Sequence, residues 1–574
     1  MNSAANPPAA SANIARHLGL MAASQPVLAA LKIPRGRTGD GRIDYLTLTF
    51  AELASEVGAW RSHLETRGVR RGDRVLVMVR QGLPLIAAAF ALFQLGAVPV
   101  VIDPGMGRKN FLACVARSKP RVLLGIPLAR LLSHVFRKAF KTVEVRVAAS
   151  GSPTARRGRT ARAETAAACV EPVPGELAAI LFTSGSTGAP KGVCYTHEMF
   201  DAQVRLIRDA YDIRPGEIDL PLLPVFALFN PALGVTTIVP ELDPARPAAA
   251  DPEKLVRAIL QENVTTSFGS PTLWRKLALH CEDQSLTLPT MRRVLSAGAP
   301  VPPDLWQRLA AILPNGTAHS PYGATEALPV SSISAAEVIG ETAFATQRGA
   351  GTCVGRPLAA NRVKIIAFTP GPVASLADTR ELPSGEIGEL IVAGPTVTHA
   401  YDALPAATAA AKIFENTSGA TGSASDARDV TVWHRLGDAG YLDASGRLWF
   451  CGRLAERVET DRGVLFTEQV EPLFNAHSGV RRSALVGLGT PGNQRAVLIV
   501  EPISGSVTGP GGARRQFARE LREIALRHPH TAGIRWFYFH PQFPVDVRHN
   551  AKIHRLTLAR WAATAIGYES DPKR

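Results

Sequence analysis

The sequence predicts an α/β fold: a large N-terminal domain of α/β subdomains plus an antiparallel β subdomain, followed by a smaller α+β C-terminal domain. Three observations predict it. At 574 residues the chain exceeds what one hydrophobic core usually supports. Compact apolar runs alternate with helix-period segments as far as Ser296, the pattern of a parallel sheet covered on both faces. Around residue 360 the texture shifts to short strands broken by Gly, Pro and Asp, and a fresh α/β pattern begins after Gly452-Arg453.

In chain order, Asn13–Pro34 carries a helix-like apolar period, and Leu46–Glu52 reads as a short strand entering a helix over Glu52–Arg67. Strand patterns follow at Asp73–Val79, Ala97–Ile102, Arg121–Ile126, Val143–Ala149, Leu177–Phe182 and Val294–Ser296, with a helix over Ile86–Leu95. The antiparallel subdomain is drawn from Arg362–Ala367, Gly388–Ala393 and Gly440–Cys451, and Ser418–Asp426 reads as a surface loop. Val480–Gly487 and Arg495–Glu501 are strands and Gln516–Arg527 an amphipathic helix, reached through a Gly-rich loop at Ser504–Ala513. The domains expected are therefore 13–451 and 452–574, the second within usual domain sizes.

Composition excludes several classes. No stretch of about 18 residues is apolar throughout, so no transmembrane span is expected. The first dozen residues read as a disordered lead-in without a secretory signal. Six scattered cysteines form no CxxC pair or zinc spacing, which points to free thiols in a reducing compartment, the cytoplasm. The net charge of +15 is spread along the chain. Its one dense run, Arg156, Arg157, Arg159 and Arg162, has no interleaved aromatics to stack bases, so no nucleic-acid partner is expected. That run reads as a solvated loop, with docking to a membrane surface or an acidic partner as the alternative.

The segment with the most chemistry is Leu181–Gly192, LFTSGSTGAPKG. A strand ending at Thr183 leads into Ser184, Gly185, Ser186, Thr187, Gly188, Ala189, Pro190 and Lys191. The glycines let backbone N–H groups converge on phosphate oxygens, four hydroxyls add donors, and Lys191 adds positive charge. A Walker loop needs Gly before the Lys and Ser/Thr after it; Pro190 and Gly192 occupy those places. GxGxxG is also absent here.

This loop resembles the phosphate-binding signature of the adenylate-forming superfamily of acyl-CoA synthetases, nonribosomal adenylation domains and luciferases. Other matches run in family order from Phe93–Pro104 to Lys552. Gly298, Ala299 and Pro300 resemble the adenine loop, and Tyr322-Gly323-Ala324-Thr325-Glu326 the YGxTE motif. The resemblance implies ATP and Mg²⁺, with Tyr322 stacked on adenine, Thr325 on the α-phosphate and Glu326 holding the metal. A flat aromatic suits a purine and a hard carboxylate suits magnesium. It further implies that Asp438 and Arg453 bind ribose and that Lys552, in a mobile C-terminal lid, is the catalytic cation offsetting charge during attack. Outside that context Tyr322-Gly323 would read as a turn and Glu326 as a helix start.

Departures from the superfamily pattern select a branch. Ala227 replaces a frequent His at the acyl site, Ala455 stands at the hinge position, and Ala551 replaces Gly beside Lys552. Arg457–Gly463 carries acidic residues where thioester-forming members often have Lys and Gly. Tyr322–Val330, Phe226–Gly234, Arg453–Pro472 and Pro544–Ile553 are instead similar to the olefin-biosynthesis β-lactone synthetases. That resemblance implies a long-chain 2-alkyl-3-hydroxy acid substrate, closed to a β-lactone by its own hydroxyl after adenylation, and a complex with other olefin-pathway enzymes. The alternative is a fatty acid–CoA ligase or fatty acyl-AMP ligase. The base for ring closure is not evident; His549, close to Lys552 in sequence, is a candidate, against a surface or structural role.

Overall fold

The computed structural model describes residues 12–149, 169–183, 189–223, 227–243, 246, 249–416, 430–503, 511–545 and 553–570. The lead-in at 1–11, the basic run, the Ser418–Asp426 loop, most of the Gly-rich loop at Ser504–Ala513 and Ser184–Gly188 fall outside them, as do His549 and Lys552.

Two sheets dominate the N-terminal domain. One holds Val145–Ala148, Val122–Gly125, Arg74–Met78, Val98–Ile102 and Leu177–Thr183 in that order, all parallel, with Lys191–Thr196 added antiparallel at its end. Its strands are continuous apolar runs because helices cover both faces. The helix Leu83–Leu95 is buried from Ile86 onward and stops where Gly96 takes a left-handed conformation. The other sheet has nine strands, with Ile218–Asp219, Thr266–Gly269, Arg293–Ser296 and Thr317–Ala324 parallel and Ala327–Ser334 folding back on Thr317–Ala324.

The antiparallel subdomain is present as expected, and Val430–Leu442 forms its long central strand. The Gly440–Cys451 segment resolves into the end of that strand and the strand Leu448–Arg453, joined at a turn. The C-terminal domain is a four-stranded mixed sheet. Val470, Phe474, Leu521 and Phe537 build one core, and Val486, Ile499 and Leu558 build another.

One stretch differs from its sequence pattern. Asn13–Pro34 is helical only over Arg16–Ser24; Pro26 prevents continuation, and Ala29–Arg37 becomes a strand paired with Ile43–Thr49. Strand pairing there outweighs the helical period of the side chains. Among the described residues no helix is long and apolar enough to cross a membrane, and all six cysteines are free thiols.

Candidate active site

The phosphate-loop candidate sits at the tip of a hairpin. Thr183 and Lys191 are opposed across the strands Leu177–Thr183 and Lys191–Thr196, so the loop leaves and returns at one point. That point is the carboxyl end of a strand paired in parallel with Val98–Ile102, where open α/β sheets bind ligands. Arg117 donates to the Pro190 carbonyl at 2.7 Å and fixes the returning limb.

Lys191 and Glu326 are brought together by a residue that the sequence motifs do not include. The Lys191 ammonium lies 4.7 Å from the ring centroid of Tyr401, whose hydroxyl donates to Glu326 Oε1 at 2.7 Å. Burial and the neighbouring carboxylate push the Tyr401 phenol up, so it stays a donor. Thr325 and Glu326 form the tip between Thr317–Ala324 and Ala327–Ser334, not a helix start, and Tyr322-Gly323 is strand, not turn. Gly323 is required there: a Cβ would stand 2.5 Å from the Ala327 carbonyl oxygen.

Two residues from outside its hairpin grip this tip. Tyr195 donates its hydroxyl to the Thr325 carbonyl, and Thr398 donates N–H and hydroxyl to the Glu326 carbonyl at 2.9 and 3.1 Å. Beneath them Lys412, 1% exposed, donates to the Thr398 carbonyl. Burial pushes its ammonium down to about 7, against the pull of Glu326. Neither Tyr401 nor Lys412 could be found from motifs, because each acts through partners distant in sequence.

The second cluster joins Tyr322, Asp438 and Arg453. Asp438 and Arg453 are Cα partners across Val430–Leu442 and Leu448–Arg453, which sets their side chains together. Arg453 Nη1 lies 2.9 Å from Asp438 Oδ1, and the Tyr322 hydroxyl donates to Oδ2. Burial, then the Asp438 charge, pushes the Tyr322 phenol well up, while Asp438 holds the Arg453 guanidinium in its charged form. Gly298, Ala299 and Pro300 follow the strand Arg293–Ser296, whose parallel neighbour Thr317–Ala324 carries Tyr322. Gly298 has φ +96°, a conformation that favours glycine.

In the segment read as an acyl-pocket wall, Ala227 is buried. The turn Asn230–Leu233 is anchored by Asn230, which donates to Asp219 at 2.7 Å and Thr237 at 3.0 Å. Burial, with Glu217 adding, pushes Asp219 up to about 7.

At the hinge, Ala455 lies in the turn Leu454–Glu456. Glu459 is held by Arg457 at 2.5 Å, and its backbone N–H donates to Gln494 at 2.8 Å. Arg555, three residues past Lys552, reaches Glu456 at 2.9 Å and Glu471 at 2.6 Å. The segment after the lysine is therefore tied to the hinge turn.

Glu326 suits a hard cation: one oxygen takes the Tyr401 hydroxyl, leaving the carboxylate able to bind through a single atom. No cluster of three metal-ligating side chains occurs among the described residues. A metal here would draw its remaining ligands from phosphate and water, as magnesium commonly does.

The chain matches the AMP-binding enzyme family over residues 30–402. It belongs to that family. It is 46% identical to an olefin β-lactone synthetase of Xanthomonas campestris over 96% of this chain and 97% of the relative. A second, from Stenotrophomonas maltophilia, is 46% identical over 96% and 98%. The fold matches the amide bond synthetase McbA of Marinactinospora thermotolerans at TM-score 0.73 and 20% identity, over 96% of this chain and 99% of that one. ATP-bound MatB of Rhodopseudomonas palustris matches at 0.73 and 21%, with the same coverage. This AMP-binding enzyme thus has the adenylate-forming fold, with a large N-terminal and a smaller C-terminal domain, and is an AMP-forming ligase or synthetase.

Proposed function

We propose that this enzyme converts a long-chain 2-alkyl-3-hydroxy acid to an acyl-adenylate and then closes it to a β-lactone. The observation that carries the reading is the 46% identity to two olefin β-lactone synthetases across both domains. The hinge supports it: Glu459, held by Arg457, stands where thioester-forming members often carry Lys and Gly.

In this reading the loop Thr183–Lys191 cradles the outer phosphates, and Gly298, Ala299, Pro300 and Tyr322 hold adenine. Asp438 and Arg453 take the ribose, whose hydroxyls exchange for the internal Tyr322 and Arg453 contacts to Asp438. Glu326 holds Mg²⁺, which would neutralise phosphate charge, and Thr325 bonds the α-phosphate. A substrate carboxylate oxygen attacks the α-phosphorus and the bond to pyrophosphate breaks, with Lys552 offsetting the charge that builds. The 3-hydroxyl oxygen then attacks the acyl carbon, its proton passes to a base, and AMP leaves. An intramolecular nucleophile needs positioning more than a thiol channel. The base is not assigned; His549 is a candidate against a surface or structural role, and normal lactone formation by His549→Ala would eliminate it. The domains are divided at 451/452, with Arg453 at their junction. The free thiols support a reducing, cytoplasmic setting, and the lipophilic product favours a complex with the enzymes that act next.

Incubation with ATP, Mg²⁺ and a long-chain 2-alkyl-3-hydroxy acid, with and without CoA, tests the proposal by mass spectrometry of the product. A β-lactone independent of CoA is expected; a thioester formed only with CoA would overturn it.

A further inference from the structure

The helix Pro127–Val135 is turned with its apolar face outward. Its sequence, PLARLLSHV, places Leu128, Leu131, Leu132 and Val135 on one side and Ala129, Arg130, Ser133 and His134 on the other. A helix packing on a sheet would ordinarily bury the leucine side. Here Ala129 and Ser133 are buried, and Leu128, Leu131 and Val135 are 59%, 61% and 64% exposed. The orientation is pinned: the Ser133 hydroxyl donates to the Arg130 carbonyl at 2.6 Å and accepts from Arg146 Nε at 2.9 Å. Arg146 lies on Val145–Ala148, the outermost strand of its sheet, so the helix sits at the margin of the molecule.

Burying a serine while three large aliphatic side chains stay in water runs against the hydrophobic effect unless something else covers the stripe. Apart from Pro153, the chain from 150 to 168 contains no apolar side chain larger than alanine. What adjoins the stripe is positive charge. Arg137, Lys138 and Lys141 are exposed, and the one carboxylate of Pro127–Arg146, Glu144, is paired with Arg121 at 3.3 Å. Cations beside an exposed aliphatic stripe fit anionic headgroups over an acyl layer. A protein partner would more often meet an interface core depleted of charge and rich in aromatics.

We propose that this helix docks the enzyme on an anionic lipid bilayer, with Leu128, Leu131 and Val135 entering the acyl boundary and Arg137, Lys138 and Lys141 meeting headgroup phosphates. The inference does not depend on which acid the enzyme activates.

Flotation of the full-length protein with vesicles tests it. Vesicles of mixed phosphatidylglycerol and phosphatidylcholine should bind at least about tenfold more protein than phosphatidylcholine alone, and high salt should reduce the difference. Leu128→Ser/Leu131→Ser/Val135→Ser and Arg137→Glu/Lys138→Glu/Lys141→Glu should each lower binding by about tenfold or more. Wild-type melting and ATP-dependent pyrophosphate release in detergent identify the variants as folded. Undiminished binding by the folded serine variant overturns the proposal, as does a wild-type protein that binds neither vesicle. A dimer in sedimentation that the serine changes dissolve, with no vesicle binding, assigns the stripe to a second copy and also overturns it.

Discussion

Glu326 depends on residues that lie outside the sequence motifs. Its carbonyl is held twice by Thr398, and Thr398 is held by the buried Lys412. Replacing Lys412 with Met keeps the volume and removes the donor. An unmade bond to a buried carbonyl costs about 1–3 kcal/mol, enough to let the Glu326 tip move. We expect Lys412→Met to raise the Mg²⁺ concentration for half-maximal pyrophosphate release by roughly tenfold. A mere packing role would instead lower thermal stability and leave the Mg²⁺ dependence unchanged, so titration with Mg²⁺ at saturating ATP separates the two. At the other cluster, Asp438→Asn keeps the shape but loses the charge that Arg453 faces at 2.9 Å. Charge-assisted bonds are about twice as strong as neutral ones, so KM for ATP should rise by roughly tenfold or more with a smaller change in kcat. Steady-state kinetics check this.

At the scale of elements, Arg555 ties the turn Leu454–Glu456 to the helix Thr467–Asn475. Arg555 is buried between Glu471, on the helix Thr467–Asn475, and Glu456, on the hinge turn. Breaking such a buried pair costs roughly 3–5 kcal/mol because a carboxylate is left uncompensated. Arg555→Met should therefore lower the melting temperature of the C-terminal domain and slow adenylation together. Arg555→Lys should recover little, since one ammonium cannot serve both carboxylates in the guanidinium's fixed geometry. Differential scanning calorimetry beside pyrophosphate release measures both. These elements also show where the sequence was readable. Val98–Ile102 and Val122–Gly125 were legible because strands buried on both faces are continuous apolar runs. The Thr183–Lys191 hairpin tip was legible because its glycines and hydroxyls are contiguous. Ala29–Arg37 was hidden: it pairs with a strand from the same hairpin and a distant one, Thr236–Ile238, and neither pairing leaves a local period. Lys412, Tyr401 and Arg555 were hidden for a related reason, as their roles exist only through partners that other elements bring to them.

For the whole molecule the question is how the two domains hold together. The contact is close: Gly349 of the large domain has φ +86°, and a Cβ there would stand 2.9 Å from the Gln469 carbonyl oxygen on the helix Thr467–Asn475 of the small domain. On the same helix Glu468 accepts from Thr352 of the large domain at 2.7 Å. Burial, with Glu471 three residues away, pushes Glu468 up to about 7 from 4.5. Below the lower value the carboxyl is protonated in both the folded and unfolded chain, and the contact keeps its full contribution. Between the two the unfolded chain ionises first, so stability falls as pH rises, and the contribution is gone once the folded group ionises. Asp219, pushed up to about 7, adds a slope of the same sign, and Lys412, pushed down to about 7, adds the opposite slope above it. The slope of the wild type alone is therefore ambiguous, and the informative quantity is its difference from Glu468→Gln, which keeps an acceptor for Thr352 but does not titrate. We expect the variant to melt at nearly the wild-type temperature at about pH 5 and above it at about pH 8, roughly the two ends of the window. Parallel melting curves across this range would remove Glu468 from the domain contact, whereas divergence through pH 7 would show that its ionisation weakens the contact between the two domains.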